Sequence, residues 1–295
     1  MKTIIVGDLH LHSRDRLRQK EFHALVEFLK KISEFSKDRL IILGDLFDKS
    51  NALSWSDFLS LVSFITKWKE VLVVVGNHDC FFKSHEPCEQ LKILLSLPNV
   101  VTSSPLFSFW HYYNHQPEGD VPILLAHKDV KELNRFYDEE YAVSMNDFAP
   151  YKVVFLGHLH LFKKVGNLLV VGPPYPVSFA DQTEGAVVVL EDNKVNVLKP
   201  YITAYTRDID KLDELQKKYR YVVVETEESI PESDRIIVRR RSTARSSVNV
   251  DVSLPEDRIP SFYDVLESFK DQLDPREVRV LRNAYEKETK HTSSL

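Results

Sequence analysis

The sequence predicts an α/β fold built in layers, followed by a smaller α+β unit. Seven apolar runs of four to six residues are continuous rather than alternating, which is typical of strands covered on both faces. Helical patterns separate the first three runs, and strand–helix–strand order is characteristic of layered α/β domains. The runs are Thr3–Gly7, Leu40–Gly44, Val71–Gly76, Ile123–Ala126, Val153–Gly157, Leu168–Gly172 and Ala186–Leu190.

The pattern changes near Lys199-Pro200. Short strand patterns at Tyr221–Glu225, Ile236–Arg239 and Val248–Val252 accompany an acidic helical pattern near Asp208–Lys218, which predicts a small α+β unit. Two helices, over residues 261–273 and 275–288, follow; Asp274-Pro275 is a typical helix start. We therefore predict three domains, over residues 1–199, 200–256 and 257–295.

The composition excludes several classes of protein. A hydrophobic fraction of 43% with 28% charged residues argues against wholesale disorder. The chain has no apolar run long enough for a membrane span, and Met1-Lys2 leads directly into the first strand rather than into a signal sequence. The two cysteines, Cys80 and Cys88, are expected to be thiols in a reducing compartment. A net charge of −5 requires that any nucleic-acid-binding surface be local.

The positions of the glycines indicate a functional site. Only 8 of 295 residues are glycine, so the chain places glycine where the backbone turns tightly or approaches another group. Four glycines close an apolar run directly before a polar residue, as Gly7-Asp8, Gly44-Asp45, Gly76-Asn77 and Gly157-His158. Because the carboxyl ends of parallel strands form the binding crevice of such sheets, these polar residues should converge.

The converging residues have the chemistry of metal ligands. The strand ends read Asp8-Leu9-His10, Asp45-Leu46-Phe47-Asp48, Asn77-His78-Asp79, Ala126-His127 and His158-Leu159-His160. Carboxylate, imidazole and amide oxygen together suit Mn²⁺, Fe²⁺ or Zn²⁺. Other interpretations are open: Asp8 and Asp45 would also serve as helix N-caps, and His12 as a solvated loop residue.

In these five blocks the sequence resembles the calcineurin-like metallophosphoesterases, whose blocks D-x-H, G-D-x-x-D, G-N-H-[DE], a lone histidine and G-H-x-H occur here in order. The resemblance implies a layered β-sandwich flanked by helices, and a pair of divalent ions. It assigns one ion to Asp8, His10, Asp45 and His160, and the second to Asp45, Asn77, His127 and His158. It also implies that His78 protonates the leaving oxygen or stabilises the phosphoryl charge, and that Asp48 orients the His78 ring.

A further segment, Gly172-Pro173-Pro174-Tyr175-Pro176-Val177-Ser178-Phe179, is similar to one in SbcD-type DNA repair exonucleases, although Pro173 replaces their usual serine. This resemblance implies a Mn²⁺-dependent 3′ to 5′ exonuclease with endonuclease activity. It implies a capping domain that contacts DNA, and terminal helices that dock on an SbcC-like SMC/ABC-type ATPase. The resemblance also implies that two copies of the chain form a homodimer within a heterotetramer. It implies a location in a prokaryotic cytoplasm or an infected host cell.

Two features beyond residue 200 permit two interpretations each. Five arginines lie within eleven residues, and they form either a DNA-phosphate-binding stripe or a charged, solvated strand edge. They are Arg235, Arg239, Arg240, Arg241 and Arg245. The apolar stripes of the terminal helices would fit either a partner groove or the chain's own domain.

Two rival functions differ from the nuclease hypothesis in what they require. A stand-alone phosphodiesterase for a small or cyclic nucleotide would need a closed pocket. A scaffold that had lost catalysis would lack some ligands, and none of the ligand types is missing from the five blocks.

Overall fold

The computed structural model describes residues 1–240, apart from residues 14, 50–52, 83, 135, 182–183, 193, 229 and 232. The predicted strand at Val248–Val252, both terminal helices, Arg241 and Arg245 therefore lie outside the described residues. In chain order the strands are β1 (Thr3–Val6), β2 (Arg39–Leu43), β3 (Glu70–Val74), β4 (Val100–Val101), β5 (Ser108–Trp110), β6 (Ile123–His127), β7 (Val153–Gly157), β8 (Lys163–Val165), β9 (Leu168–Val170), β10 (Val187–Glu191), β11 (Lys194–Leu198), β12 (Thr203–Thr206), β13 (Tyr221–Thr226) and β14 (Ile236–Arg240).

The helices are α1 (Arg16–Ile32), α2 (Trp55–Ile65), α3 (Glu89–Leu95) and α4 (Leu212–Lys218), with 3₁₀ turns at Met145–Phe148 and Ile209–Lys211. Both helices that the apolar stripes predict begin at a side-chain cap. Asp15 accepts hydrogen bonds from the backbone N–H groups of Leu17 and Arg18 at the start of α1, and Ser54 accepts one from Asp57 at the start of α2. Such caps satisfy amide groups that the first helical turn leaves without partners.

Two stacked sheets form the main body. The first has the order β11-β10-β1-β2-β3-β4, and the second has the order β5-β6-β7-β9-β8. Strands β1 to β4 are parallel, as are β5, β6, β7 and β9, whereas β10, β11 and β8 run antiparallel to their neighbours. The layered α/β sandwich that the sequence predicts is confirmed.

The continuous apolar strands are buried on both faces by different layers. Ile4 and Val6 of β1 belong to the core beneath the helices, with Leu25 of α1. Ile5, between them, packs with Leu125 and with other residues of the second sheet. Successive side chains of a strand point to opposite faces, so one run supplies two separate cores.

A third, parallel sheet has the order β12-β13-β14, and α4 packs beside it. Tyr221 and Val223 of β13 share a buried apolar core with Leu25, and Arg220 forms an ion pair with Glu27 of α1 at 2.5 Å. The small unit is thus packed against α1 on the main body. Among the described residues, no helix combines the length and the apolar character that crossing a membrane requires.

Candidate metal centre

The polar residues at five strand ends meet at one edge of the two sheets. Strands β1, β2 and β3 end before Asp8, Asp45 and Asn77, β6 ends at His127, and β7 ends before His158. The parallel direction of these strands within each sheet brings their carboxyl ends to the same edge. Backbone hydrogen bonds join the loops, since Asp8 N donates to Gly44 O at 3.1 Å and His10 N donates to Asp45 O at 3.0 Å.

One cluster contains Asp8, His10 and His160, each with a potential ligand atom within 4.8 Å of the others. The Nε2 atoms of His10 and His160 are 3.1 Å apart. Oδ1 of Asp8 accepts a hydrogen bond from His158 N at 2.8 Å, whereas its buried Oδ2 has no hydrogen-bond partner among the described residues. A buried carboxylate oxygen without a partner is costly, and a cation bound between these three side chains would satisfy it.

A second cluster contains Asp45, His127 and His158. Nε2 of His127 lies 3.4 Å from Asp45 Oδ2, and 3.3 Å from both Asn77 Oδ1 and His158 Nδ1. Asp45 Oδ2 also lies 3.7 Å from His10 Nε2. Asp45 therefore stands between the two clusters, within reach of a ligand from each.

The electrostatics of the centre fit a divalent cation. Burial lowers the pKa of His10 to about 3, so its ring is neutral at pH 7, as a ligand must be. Burial opposes charge on His127 and on Asp45. Their mutual attraction nevertheless raises the pKa of His127 to about 9 and lowers that of Asp45. Cation binding here therefore requires a proton to leave His127.

The backbone at the centre is unusual. Four candidate ligands have positive φ: Asp8 (51°), His10 (44°), Asp45 (47°) and His158 (78°). Residues other than glycine adopt this region rarely, and such strain concentrates at functional sites. The surrounding hydrogen bonds hold these four residues in a conformation that directs their side chains to one place.

Gly76 is needed because Asp45 approaches its Cα. A Cβ atom there would lie 2.2 Å from Asp45 Oδ1 and 2.3 Å from Asp45 N, whereas one at Gly7 would have no neighbour closer than 3.5 Å. Gly76→Ala is therefore expected to lower the free energy of unfolding by about 1–3 kcal/mol and to weaken metal binding, measured by denaturant titration and calorimetry. Gly7→Ala, the matched control, should be neutral or stabilise by up to about 1 kcal/mol; equal effects of the two substitutions would contradict this.

His78 and Asp48 lie beside both clusters, but their contact differs from the predicted one. The ring Nδ1 of His78 contacts the backbone carbonyl of Asp48. The Asp48 carboxylate is instead 3.7 Å from His10 Nδ1. The expectation that the carboxylate orients the His78 ring is thus corrected: the main-chain oxygen of Asp48 contacts the ring, because the carboxylate lies toward His10. His78 also has a potential ligand atom within 4.8 Å of those of His10 and Asp45.

Two aspartates that the sequence did not identify contact the histidines of the last block. Asp129 Oδ1 lies 3.0 Å from His158 Nε2, and the Tyr112 hydroxyl donates to Asp129 Oδ2 at 3.0 Å. Asp181 Oδ1 lies 3.4 Å from His160 Nδ1. A carboxylate on the far nitrogen sets the tautomer and orientation of a ligand histidine. The position of Asp129 two residues after His127 was an available signal, whereas nothing in the sequence links Asp181 to His160.

Arg239 reaches a groove beside the centre. This open groove, here called the basic groove, is lined by His10, His12, Asp15, Arg18, Asp48, Val177 and Arg239. The Arg239 guanidinium is 3.8 Å from the Asp15 carboxylate and its side chain is 43% exposed. Arg235, by contrast, donates to three main-chain carbonyls, those of Gln216, Tyr219 and Arg220, so its charge stabilises the end of α4. The structure describes Arg240 only as the last residue of β14.

Comparison with known proteins identifies a family and a number of similar chains, among them the following three. Residues 1–198 match the calcineurin-like phosphoesterase family. The chain is 21% identical over 356 aligned positions to a DNA double-strand break repair protein Mre11 of Nanoarchaeum equitans, with 92% of this chain and 96% of that protein covered. A cold-active protein-tyrosine phosphatase of a Shewanella species is 12% identical, with 68% and 78% covered and a TM-score of 0.36. Nuclease MPE of Pseudomonas putida is 16% identical, with 66% and 87% covered and a TM-score of 0.32.

Proposed function

The chain belongs to the calcineurin-like phosphoesterase family, and from that premise we propose that it is a two-metal nuclease that hydrolyses DNA phosphodiesters. The observation that carries the proposal is the position of Asp45 between two ligand clusters, with His10 on one side and His127 on the other. Asp8, His10, Asp45 and His160 would hold one Mn²⁺ ion, and Asp45, Asn77, His127 and His158 the other. The Mre11 similarity over nearly the full chain favours DNA as the substrate.

Bound cations at such a centre lower the pKa of water and stabilise negative charge on phosphoryl oxygens. The chain's own contribution is to fix geometry. Asp45 Oδ1 accepts a hydrogen bond from His78 N at 2.9 Å, which holds its Oδ2 toward His10 and His127. Because His78 Nδ1 faces the Asp48 carbonyl, Nε2 is the nitrogen available to deliver a proton to the leaving oxygen or to stabilise phosphoryl charge.

The surroundings of the centre favour a polymer over a small cyclic ester. The basic groove is open and extends from His10 to Arg239 on the small unit. A DNA backbone passing along it would place a phosphate near the Arg239 guanidinium, a charge-assisted contact. Asp15 and Asp48 also line this groove, so the positive charge there is limited. Arg241 and Arg245 of the arginine stripe lie outside the described residues.

The substrate preference is tested by measuring cleavage of linear DNA and of a small bis-aryl phosphodiester, each in the presence of Mn²⁺. We expect the full chain to cleave both, and to degrade the DNA from its 3′ ends. Arg239→Ala should raise the KM for DNA and leave the KM for the small ester nearly unchanged. It should also reduce the salt dependence of DNA cleavage. Lys211→Ala, at an exposed residue near α4, serves as the control. Cleavage of the small ester alone would remove the nuclease function and favour the small-substrate phosphodiesterase.

We further propose that residues 261–295 dock on an SbcC-like ATPase, within a heterotetramer that contains two copies of this chain. The support is the apolar stripe over Phe262, Val265, Leu266, Phe269 and Leu273. Deletion of residues 261–295 is expected to abolish co-purification with a co-expressed SbcC-like ATPase and to leave hydrolysis of the small ester intact. Phe269→Glu should reproduce the loss, whereas Lys270→Glu should not. Co-purification that survives the deletion would refute the docking proposal.

A further inference from the structure

A second groove leaves the metal centre on the side of Asn77 and His78. It is lined by those two residues and by Lys49, Phe82, Tyr113 and others, and it encloses about 290 Å³. The basic groove begins at His10 and Asp48. The candidate ligands thus lie between two grooves, so a polymer with its phosphate at the centre would extend into both.

The aromatic side chains of Phe82 and Tyr113 line this second groove, here called the aromatic groove. Phe82 lines it with 88% of its surface exposed. The Tyr113 ring stacks in parallel on His85, with centroids 4.0 Å apart and an interplanar angle of 4°. Tyr141 stands edge-on to both rings, and its hydroxyl lies 3.2 Å from His85 Nδ1. The orientation of the Tyr113 ring is therefore set before any ligand arrives.

The chemistry of the aromatic groove matches a nucleobase. A single exposed phenylalanine is ordinary on a protein surface, but Phe82 shares a groove with Tyr113 and with the candidate ligand Asn77. Bases stack on aromatic side chains without regard to sequence, because every base has a π-face. Lys49 and Asp138 both line this groove, so their charges offset each other and the aromatic side chains carry the argument.

We propose that the aromatic groove binds the base of a nucleotide adjacent to the scissile phosphate, by stacking on Phe82 and Tyr113. This inference rests on the proposed nuclease function and adds a requirement to it. A base in the groove cannot remain stacked in a duplex, so the enzyme must act on an unpaired or frayed nucleotide. The preferred substrate is therefore a single strand or a melted end.

The test uses single-stranded oligonucleotides with one cleavable phosphodiester, the other linkages being phosphorothioates. A tetrahydrofuran abasic unit replaces the base on the 5′ or the 3′ side of that linkage. With Mn²⁺ and the full chain, we expect the abasic unit on one of the two sides to lower kcat/KM by about 5- to 150-fold, the range that stacking of one base provides. Phe82→Ala should cause a similar loss with the intact base and little additional loss with the abasic unit. Phe82→Trp should restore the rate.

Leu106→Ala is the matched control, because Leu106 is an exposed apolar residue just before β5, at the edge of the second sheet opposite the centre. It should leave every rate unchanged. Equal rates for intact and abasic oligonucleotides on both sides, or an equal loss from Phe82→Ala on both substrates, would overturn the stacking site and leave the nuclease function standing. Absence of cleavage of any oligonucleotide, beside hydrolysis of a small ester, would overturn both.

Discussion

Asp45→Ala is expected to abolish hydrolysis, lowering kcat by more than about 10³-fold, since loss of even a single transition-state hydrogen-bond donor costs 10²–10³. The Asp45 carboxylate lies within reach of both clusters, with Oδ2 at 3.7 Å from His10 Nε2 and 3.4 Å from His127 Nε2. Its removal should therefore weaken both cation sites together. Steady-state rates on DNA and on a small ester, with titration calorimetry of Mn²⁺, measure the effect.

A thermal assay separates metal loss from misfolding. A cation that binds only the folded protein raises its stability in proportion to the logarithm of its concentration, so Mn²⁺ should raise the Tm of the natural sequence and leave that of Asp45→Ala unchanged. Asp45→Asn retains the shape and the acceptor for His78 N, and should show the same loss of binding. Asp213→Ala, on the exposed face of α4, is the control. Residual activity in Asp45→Ala above one hundredth of normal would contradict the shared-ligand assignment.

His78→Ala is expected to keep both cations and to lower turnover by about 10²–10⁴-fold, the usual contribution of a positioned proton donor. The His78 ring is held edge-on to His10, with centroids 4.9 Å apart, and its Nδ1 faces a main-chain carbonyl. That geometry leaves Nε2 for the substrate. Single-turnover rates, together with the metal content of the purified variant, measure the two consequences separately.

The leaving group distinguishes the possible roles of His78. A nitrophenolate departs without a proton, whereas a deoxyribose oxygen needs one. A general acid therefore predicts a large loss on DNA and a small loss on bis-nitrophenyl phosphate, while charge stabilisation predicts equal losses. His23→Ala, at an exposed position of α1, is the control. Metal loss in His78→Ala would instead make this residue a ligand, a result that its place in a cluster with His10 and Asp45 would explain.

The fold shows which features a local pattern can reveal. The run Thr3–Gly7 contains Ile4, Ile5 and Val6, all buried, and its continuity correctly predicts burial on both faces. The same run contains no information about what covers each face. A helix layer covers Ile4 and a second sheet covers Ile5. Short or alternating strands such as β5 (Ser108–Trp110) and β11 (Lys194–Leu198) were not predicted, because three residues, or an exposed edge, leave too little apolar pattern.

In the candidate centre, too, the sequence predicted some features and missed others. Asp8, Asp45, Asn77, His127 and His158 could be found because metal chemistry restricts the residue types and parallel strands bring their ends together. The partners of these residues could not be found. Whether the His78 ring contacts the carboxylate or the main-chain carbonyl of Asp48 depends on the backbone conformation at Asp48. Asp181 reaches His160 from a segment that no spacing rule connects with it.

The amino-acid order alone therefore determined the layered class, the strand ends that carry ligands, and the family. Only the tertiary structure decided that the main-chain oxygen of Asp48 contacts His78, that Asp129 and Asp181 support the last two histidines, and that an aromatic groove opens beside Asn77. The physical reason is the separation along the chain between the residues involved. Burial periodicity and ligand chemistry are properties of neighbouring residues along the chain, whereas a 3 Å contact between distant loops depends on how every layer packs between them.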